Sequence, residues 1–197
     1  MEKGKVIALP QYSLKGKLSL EETFLKRRSI RSFSSKPLEI DHIGQLFWSL
    51  QGIVNDEGRR PVPSAGALYP LEVYGALSFG FVHYLPEGHK MELLSLEDLR
   101  PDLGRASFHQ TWMATAPCIF VIAAAYIRLA IRYGKRAERY AILEAGHAAQ
   151  NLLLQAVALG LGAVVVGAFD DAQVIKILSL PRDIFPLYLI PVGYPRV

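Results

Sequence analysis

The sequence predicts an α+β domain in which helices surround a central sheet. Two observations support this fold class: some segments carry apolar residues at helical spacing, and others are short runs rich in β-branched residues. Of the 197 residues, 51% are apolar, which is enough to bury a core. We assign one domain to residues 19–197. Residues 1–18 carry four lysines and little periodicity, and we interpret them as an N-terminal arm, either mobile or laid on a partner.

Two helix signals open the domain. Residues 19–22 read Ser-Leu-Glu-Glu, a capping box, so a helix should begin at Ser19 and continue to about Arg28. Asp41 is a candidate cap for a second helix, whose apolar residues recur at helical spacing and whose end is followed by Gly52. We therefore expect two helices before the first central strand.

The rest of the chain mixes short apolar runs with longer periodic segments. Residues 64–70 should form a turn or the start of a helix, and residues 136–161 form the longest predicted helix, with a broad apolar face. The other predicted elements are strands at 71–77, 81–85, 91–94, 118–125, 163–168 and 187–192, helical pieces within 96–114, and a short helix at 172–180. The strands at 81–85 and 91–94 should form a hairpin.

One apolar segment is long enough to raise the question of a membrane span. Residues 152–169 are almost all apolar. Gly160 and Gly162 interrupt the segment, two aspartates follow it, and three consecutive valines favour a strand. We therefore expect a buried helix, a tight turn and a buried strand, and no membrane partner.

The single cysteine, Cys118, lies in an apolar run. It has no second cysteine with which to form an internal disulfide, no neighbouring base activates its thiol, and the chain opens without a secretory signal pattern. These features favour a cytoplasmic location and an unreactive, buried thiol.

The chain has a net charge of +4 and two basic clusters, at residues 26–31 and 128–139. Each cluster is consistent with a solvated surface, and the charge permits an anionic ligand. Because no nucleic-acid-binding motif accompanies the charge, we do not expect nucleic acid as a partner. A basic nucleic-acid binder stays open as an alternative, and its affinity would fall steeply with salt.

Three segments carry residues suited to binding a small ligand. Residues 27–31 read Arg-Arg-Ser-Ile-Arg, in which forked guanidinium donors and a serine hydroxyl could chelate a phosphate. Residues 63–70 contain small residues that let the backbone approach a flat ligand closely. Residues 162–171 contain a predicted strand ending in Gly-Ala, which would present backbone N–H groups to a ring, and two aspartates expected only to cap the next helix.

Other kinds of site find no support in the sequence. His83 and His89 could face each other across the predicted hairpin, but no carboxylate or cysteine cluster joins them, so we expect no metal site. His147 should be a core or interface residue of the longest helix. The chain lacks the Gly-x-Ser-x-Gly, Gly-x-Gly-x-x-Gly and Walker patterns of hydrolases and nucleotide-binding enzymes.

Taken in order, these segments resemble the nitroreductase family and, within it, the SagB-type dehydrogenase branch. The resemblance covers about residues 19–194 and rests on four blocks at family-like spacing, which are residues 27–33, 60–74, 139–154 and 160–171. The predicted hairpin at 81–89 is also similar to that branch.

The resemblance implies a nitroreductase-like sandwich with a central, mainly antiparallel sheet, and a homodimer with FMN at the subunit interface. It implies ping-pong transfer of reducing equivalents from NAD(P)H through FMN to a small electrophilic acceptor, such as a nitro compound or a quinone. The FMN-binding residues that it implies are Arg27, Arg28, Ser29 and Arg31 on the phosphate and ribityl side, Pro63, Ser64, Ala65 and Gly66 in the segment from the other subunit, and Val166, Gly167 and Ala168 near the reactive edge of the ring.

The sequence departs from the family pattern in three places. The C-terminal Lys or Arg that reaches the phosphate in many members is absent unless Arg196 replaces it. Family members usually carry an Asn and a Lys ahead of the strand that is predicted here at 118–125. Neither is evident in this sequence, and Gln110 is the expected flavin contact in that region. The Lys-Tyr pair of the azoline oxidases in the SagB-type branch reads Arg139-Tyr140 here. Tyr140 is a candidate proton donor or acceptor, whereas arginine is a poor base.

Two further functions that keep the flavin therefore stay open. One is an azoline oxidase, the dehydrogenase component of a peptide-modifying complex. The other is a flavin-binding module without catalytic turnover.

Overall fold

The computed structural model describes residues 2–196, so Met1 and Val197, at the ends of the predicted arm and domain, lie outside the described residues. Seven strands form one sheet in the order β1-β4-β3-β2-β5-β7-β6, and each paired strand is antiparallel to its neighbour. The strands are β1 (Val6–Ala8), β2 (Leu71–Leu77), β3 (Gly80–Leu85), β4 (Lys90–Ser95), β5 (Cys118–Ala124), β6 (Gly162–Ala163) and β7 (Phe185–Gly193). The helices are α1 (Leu20–Lys26), α2 (Ile40–Gln51), α3 (Arg100–Ala106), α4 (Tyr126–Tyr133), α5 (Ala137–Ala158) and α6 (Asp171–Leu178).

Helices cover both faces of the sheet, which confirms the predicted α+β sandwich. Successive side chains of a strand point to opposite faces, and every residue of β5 is buried. Phe120 and Ile122 of β5 join the core under α2 and α5, whereas Ile119 and Val121 join the core under α3 and α6. The central strand therefore belongs to two apolar layers at once.

The first helix is capped as its sequence predicts. The Ser19 hydroxyl accepts the Glu22 N–H at 3.2 Å, and the Glu22 carboxylate accepts the Ser19 N–H at 2.9 Å. The helix ends at Lys26, before the expected Arg28, because Arg27 leaves the helical conformation.

The predicted cap of the second helix is wrong. α2 begins at Ile40, so Glu39 occupies the cap position and Asp41 lies in the first turn. The negative charge of Asp41 still suits the helix dipole there, which explains why the residue signals a helix start without capping it. Gly52 follows the helix as expected.

The predicted strand at 163–168 is also wrong in extent. Only Gly162–Ala163 form a regular strand, and Val166 makes an isolated bridge with Leu189. The opposing residue of β7 is Pro191, which accepts from Val164 N–H at 3.3 Å but has no N–H to donate in return. The ladder is therefore interrupted, and residues beyond it are free to turn outward.

Two elements were absent from the sequence prediction. β1, within the predicted arm, pairs with β4 as an edge strand, so that part of the arm lies on the sheet of its own chain. α4 overlaps the basic cluster at residues 128–139. Its inward residues, Tyr126, Leu129, Ala130 and Tyr133, do recur at helical spacing.

The remaining predicted elements are confirmed, with small shifts at their ends. β3 and β4 form the expected hairpin, residues 100–115 are helical in two pieces, and Ala65–Ala67 form a short 3-10 turn. The long apolar segment is the end of α5, a turn at Gly160 (φ 73°) and β6. Within the described part of the chain, no helix combines the length and apolar character that a membrane crossing needs.

Candidate functional site

The arginine segment lies at the β6 edge of the sheet. Ser29 forms a parallel bridge with Ala163, and Ile30 N–H donates to the Ala163 carbonyl at 3.1 Å. A side chain at Gly162 would come within 2.7 Å of Ile30, so glycine is what permits this close approach. Arg28 donates to two carbonyls at the end of α1. The segment is thereby anchored through its backbone.

The C-terminal segment runs beside this arginine segment. Phe33 bridges Pro195, and Arg196 N–H donates to the Ser32 carbonyl at 3.0 Å. Arg196 lines a cleft of about 400 Å³ together with Arg100. The backbone of Arg196 therefore neighbours the predicted phosphate side, and the residue also borders this cleft.

The predicted ring-side backbone follows the same edge. Val166 exchanges two hydrogen bonds with Leu189, at 2.8 and 3.0 Å, and the next two residues, Gly167 and Ala168, are exposed. Gln110 Nε2 donates to the Ala168 carbonyl at 3.4 Å. The structure thus brings together Gln110 and residues 166–168, which lie more than fifty residues apart in sequence.

Asp170 follows this edge and caps α6. Its carboxylate accepts the Gln173 N–H at 3.0 Å, and this contact holds the pKa of Asp170 below its usual range. This confirms the predicted capping role of the first of the two aspartates.

The segment at 63–69 has an unusual backbone. Gly66, Ala67 and Tyr69 have positive φ values of 63°, 54° and 45°. Such conformations disfavour residues with a Cβ, and they persist where the surroundings hold them. Here the Ser64 hydroxyl accepts the Tyr69 N–H at 2.9 Å, and the Arg60 guanidinium lies 4.9 Å from the centre of the Tyr69 ring.

A buried carboxyl group lies beneath this segment. Glu144 on α5 is only 2% exposed, and neither of its oxygens has a hydrogen-bond partner within normal geometry. Burial raises the pKa of Glu144 to about 7, although the nearby Ser64 hydroxyl and Arg60 guanidinium both favour the charged form. Two buried donors, Gln51 Nε2 and Arg60 Nε, are unpartnered as well.

Sequence reasoning missed Glu144. The available signal was a carboxylate among the small residues Ala141, Ala145 and Ala148, which the structure shows to be buried on α5. A charged residue on an inward helix face is costly unless it is paired or neutralised. The position of Glu144 alone therefore identifies it as a candidate for a special role.

Tyr140 precedes Glu144 by one helical turn of α5. Its ring packs edge-on against Tyr133, with centroids 5.1 Å apart, and Arg136 donates to its hydroxyl at 3.5 Å. The Tyr133 hydroxyl is 2.8 Å from the point where a side chain on Gly66 would begin. Tyr140 therefore belongs to a tyrosine pair next to the predicted flavin segment.

Within one chain, the two halves of the predicted site are far apart. Ser64 lies near Glu144, in the first half of α5, whereas Ala163 follows the end of that helix at Ala158. The rise of an α-helix separates Glu144 from Ala158 by about 21 Å. The segment at 63–66 and the start of the β6 edge therefore lie toward opposite ends of α5.

Residues 25–194 match the model of the nitroreductase family. The chain belongs to the nitroreductase family. It is therefore an oxidoreductase by family, and its antiparallel sheet between helical layers is the nitroreductase fold.

Two relatives illustrate the range of this nitroreductase family. A nitroreductase candidate of Methanocaldococcus jannaschii, MJ1384, is 39% identical over 182 residues, which span 89% of this chain and 91% of that protein. The microcin B17-processing protein McbC of Escherichia coli is 28% identical over 143 residues. That match spans 66% of this chain and 52% of McbC, so this chain covers only about half of the second relative.

Solved structures of nitroreductase type agree with the family match. A nitroreductase candidate from Ralstonia eutropha JMP134 has a TM-score of 0.89 at 31% identity, covering 98% of this chain and 90% of that one. A chain of the Escherichia coli microcin synthetase McbBCD complex, which was solved with truncated pro-MccB17 bound, has a TM-score of 0.78 at 26% identity. That match covers 100% of this chain and 80% of the other.

His83, His89 and Cys118 of this nitroreductase-family chain lie outside the candidate site. His83 and His89 do not face each other: His83 contacts the Glu72 carboxylate at 2.6 Å, and His89 contacts the Tyr84 hydroxyl at 2.8 Å. His147 is exposed on α5 in the single chain. Cys118 is fully buried, and burial raises the pKa of its thiol. Among residues 2–196, no cluster of His, Cys, Asp and Glu suits a metal ion.

Proposed function

We propose that this chain is an FMN-dependent oxidoreductase, similar to the SagB-type dehydrogenases, which transfers reducing equivalents from NAD(P)H through FMN to a small electrophilic acceptor. The observation that carries this proposal is the sheet edge at residues 162–168, which is a regular strand only at Gly162–Ala163. The arginine segment lies at its start and the exposed Gly167 and Ala168 at its end. Ala163 and Gly167 are four residues apart, or about 13 Å, so the edge suits a ligand with an anionic end and a ring end.

The chemistry of the residues along this edge fits FMN. Arg27, Arg28 and Arg31 form no salt bridge with another described residue, so their charges are available to a phosphate. Gly167 has no side chain to block a flat ring, and its nearest neighbour, the Tyr188 ring, would be 3.6 Å from an added Cβ. Bound FMN would supply the redox chemistry. The protein would anchor the phosphate and orient the ring.

The separation of the two halves of the site supports a homodimer. The segment at 63–66 lies beside Glu144, and Glu144 is about 21 Å along α5 from Ala158, which precedes the β6 edge, so the segment would serve the flavin of the partner subunit. An apolar surface is available for association. Ile142 and Leu143 of α5 are 46% and 53% exposed, and Phe24 and Leu25 of α1 are 53% and 71% exposed.

A second candidate function is favoured by the similarity to McbC. That protein is named for microcin processing, and its complex was solved with a peptide precursor bound. By analogy, this chain would act as an azoline oxidase within a peptide-modifying complex, with Tyr140 moving a proton. Arg139 and Arg136 next to Tyr140 weigh against this function, because guanidinium groups are poor bases.

The test is the visible absorption spectrum of the purified protein with FMN, followed by anaerobic titration with NADH and NADPH. We expect a bound-flavin spectrum that bleaches with at least one nucleotide. We also expect the protein to elute as a dimer in size-exclusion chromatography and to occur in the cytoplasmic fraction of its host. A bound flavin that neither nucleotide bleaches would favour the azoline oxidase or a non-catalytic flavin module. Failure to bind FMN would overturn the proposal.

A further inference from the structure

A group of unpaired basic side chains borders the candidate site. From Arg128 to Tyr140 the chain carries five basic residues and one acidic residue, Glu138. Arg128 pairs with Glu72. Among the described residues, the other four, which are Arg132, Lys135, Arg136 and Arg139, form no salt bridge.

Two of these four converge on the tyrosine pair. The Arg132 guanidinium lies 5.6 Å from the centre of the Tyr133 ring, and Arg136 donates to the Tyr140 hydroxyl at 3.5 Å. The rings themselves are in contact. The end of α4 and the turn before α5 therefore hold both guanidinium groups against one tyrosine pair, and both arginines are exposed to an incoming ligand.

This arrangement faces the segment proposed to cover the flavin. An added Cβ on Gly66 would lie 3.1 Å from an Arg132 guanidinium nitrogen and 2.8 Å from the Tyr133 hydroxyl. Gly66 is exposed, so the approach to it stays open. A molecule that stacks on the flavin beside Gly66 would meet Arg132 and the tyrosine pair at its rim.

We propose that Arg132 and Arg136 bind an anionic group of a substrate at the flavin, so that the site selects anionic over neutral molecules. The inference rests on the proposed function, because it assumes that FMN lies against Gly66. Guanidinium groups without an ionic partner attract anions and form forked hydrogen bonds with carboxylate or phosphate. The anion belongs either to the electron acceptor or to the 2′-phosphate of NADPH.

The experiment uses the FMN-loaded protein and the double variant Arg132→Gln/Arg136→Gln. Lys3→Gln/Lys5→Gln is the charge-matched control, since both lysines are exposed at the β1 edge of the sheet. The flavin spectrum is recorded first, because a chain without flavin would fail the proposed function and not only this inference. Benzoate and benzamide then probe acceptor binding, through the shift that each causes in the flavin spectrum. The rate of flavin reduction by limiting NADPH or NADH probes the donor.

In the double variant we expect a selective loss for the anion-bearing member of one ligand pair, either benzoate against benzamide or NADPH against NADH. Loss of charge-assisted hydrogen bonds should weaken benzoate binding by about tenfold or more in the double variant, whereas benzamide binding should change less than about twofold. An equivalent selective loss with NADPH against NADH would support the proposal and assign the anion to the donor. Equal changes within both pairs, or changes matched by the lysine control, would overturn it. The proposal would also be overturned if the double variant lost FMN binding but kept riboflavin binding, because that result would assign the arginines to the cofactor phosphate.

Discussion

Gln110 Nε2 lies 3.4 Å from the carbonyl oxygen of Ala168, and this contact ties the loop after α3 to the edge of the sheet after β6. Phe108 and His109, just before Gln110, both have positive φ values, of 52° and 61°. The loop is thus held in a costly conformation that directs the Gln110 side chain toward the exposed backbone of residues 167 and 168.

The first prediction concerns this contact. Gln110→Ala should slow flavin reduction by NAD(P)H about tenfold, since it removes the side chain that contacts the backbone at the proposed ring position. FMN content should change little because the proposed phosphate contacts are elsewhere. Stopped-flow absorbance measures the rate, and Gln11→Ala, at an exposed glutamine of the N-terminal segment, is the control. A Gln110→Ala rate equal to that of the wild type would remove Gln110 from the site.

The second prediction separates the phosphate from the ring. Arg27→Gln/Arg31→Gln should weaken FMN binding by about a hundredfold and riboflavin binding by less than about threefold, because only FMN carries the dianion. Flavin fluorescence titration measures both constants. Arg59→Gln, whose guanidinium pairs with Glu57 on an exposed loop, is the matched control. Equal weakening of the two flavins would show that the arginines do not hold the phosphate.

The third prediction is a pH dependence of stability. The folded pKa of Glu144 is raised to about 7 from an ordinary value of 4.5. Between these values the unfolded chain binds fewer protons at this position than the folded chain, so the free energy of unfolding falls as pH rises. The full loss from Glu144 is on the order of 3 kcal/mol, complete above about pH 7.

Glu144→Gln should remove most of this pH dependence, because the amide keeps the shape of the side chain without titrating. Urea unfolding at pH 5, 6, 7 and 8, at one fixed protein concentration, measures it. Glu138→Gln, at an exposed residue in the first turn of the same helix, should leave the slope unchanged. If Glu144→Gln retains the wild-type slope, Glu144 is already ionised in the folded protein.

The fourth prediction concerns the backbone of the 63–69 segment. Gly66→Ala should destabilise the fold by about 1–2 kcal/mol, because φ is positive there and because the new Cβ would lie 2.8 Å from the Tyr133 hydroxyl. Gly58→Ala, where φ is also positive but no atom lies within 4 Å, isolates the backbone cost. Adding Tyr133→Phe to Gly66→Ala should bring its cost down toward that of Gly58→Ala, as measured by unfolding free energies. No recovery would mean that the hydroxyl contact carries no cost.

Local patterns in the sequence predicted much of the fold. The Ser19 capping box, the hairpin at 80–95 and the long helix α5 were all visible because each depends on residues close together in the chain. Two predictions failed, one at a helix boundary two residues away and one where a distant strand decides. Asp41 signals a helix start, but Glu39 occupies the cap, and the strand after α5 stops because Pro191 of β7 cannot donate to it.

The sequence by itself determined the α+β class, the central strands and the family of this protein, because apolar periodicity and ordered motifs are local properties. It also supplied the candidate residues of the site. Only the tertiary structure decided which of them meet: Gln110 joins Ala168, Ser29 joins Ala163, and Ser64 lies above Glu144. The burial of Glu144 and the distance between the two halves of the site arise from packing along α5, and packing of that kind has no local signature in a sequence.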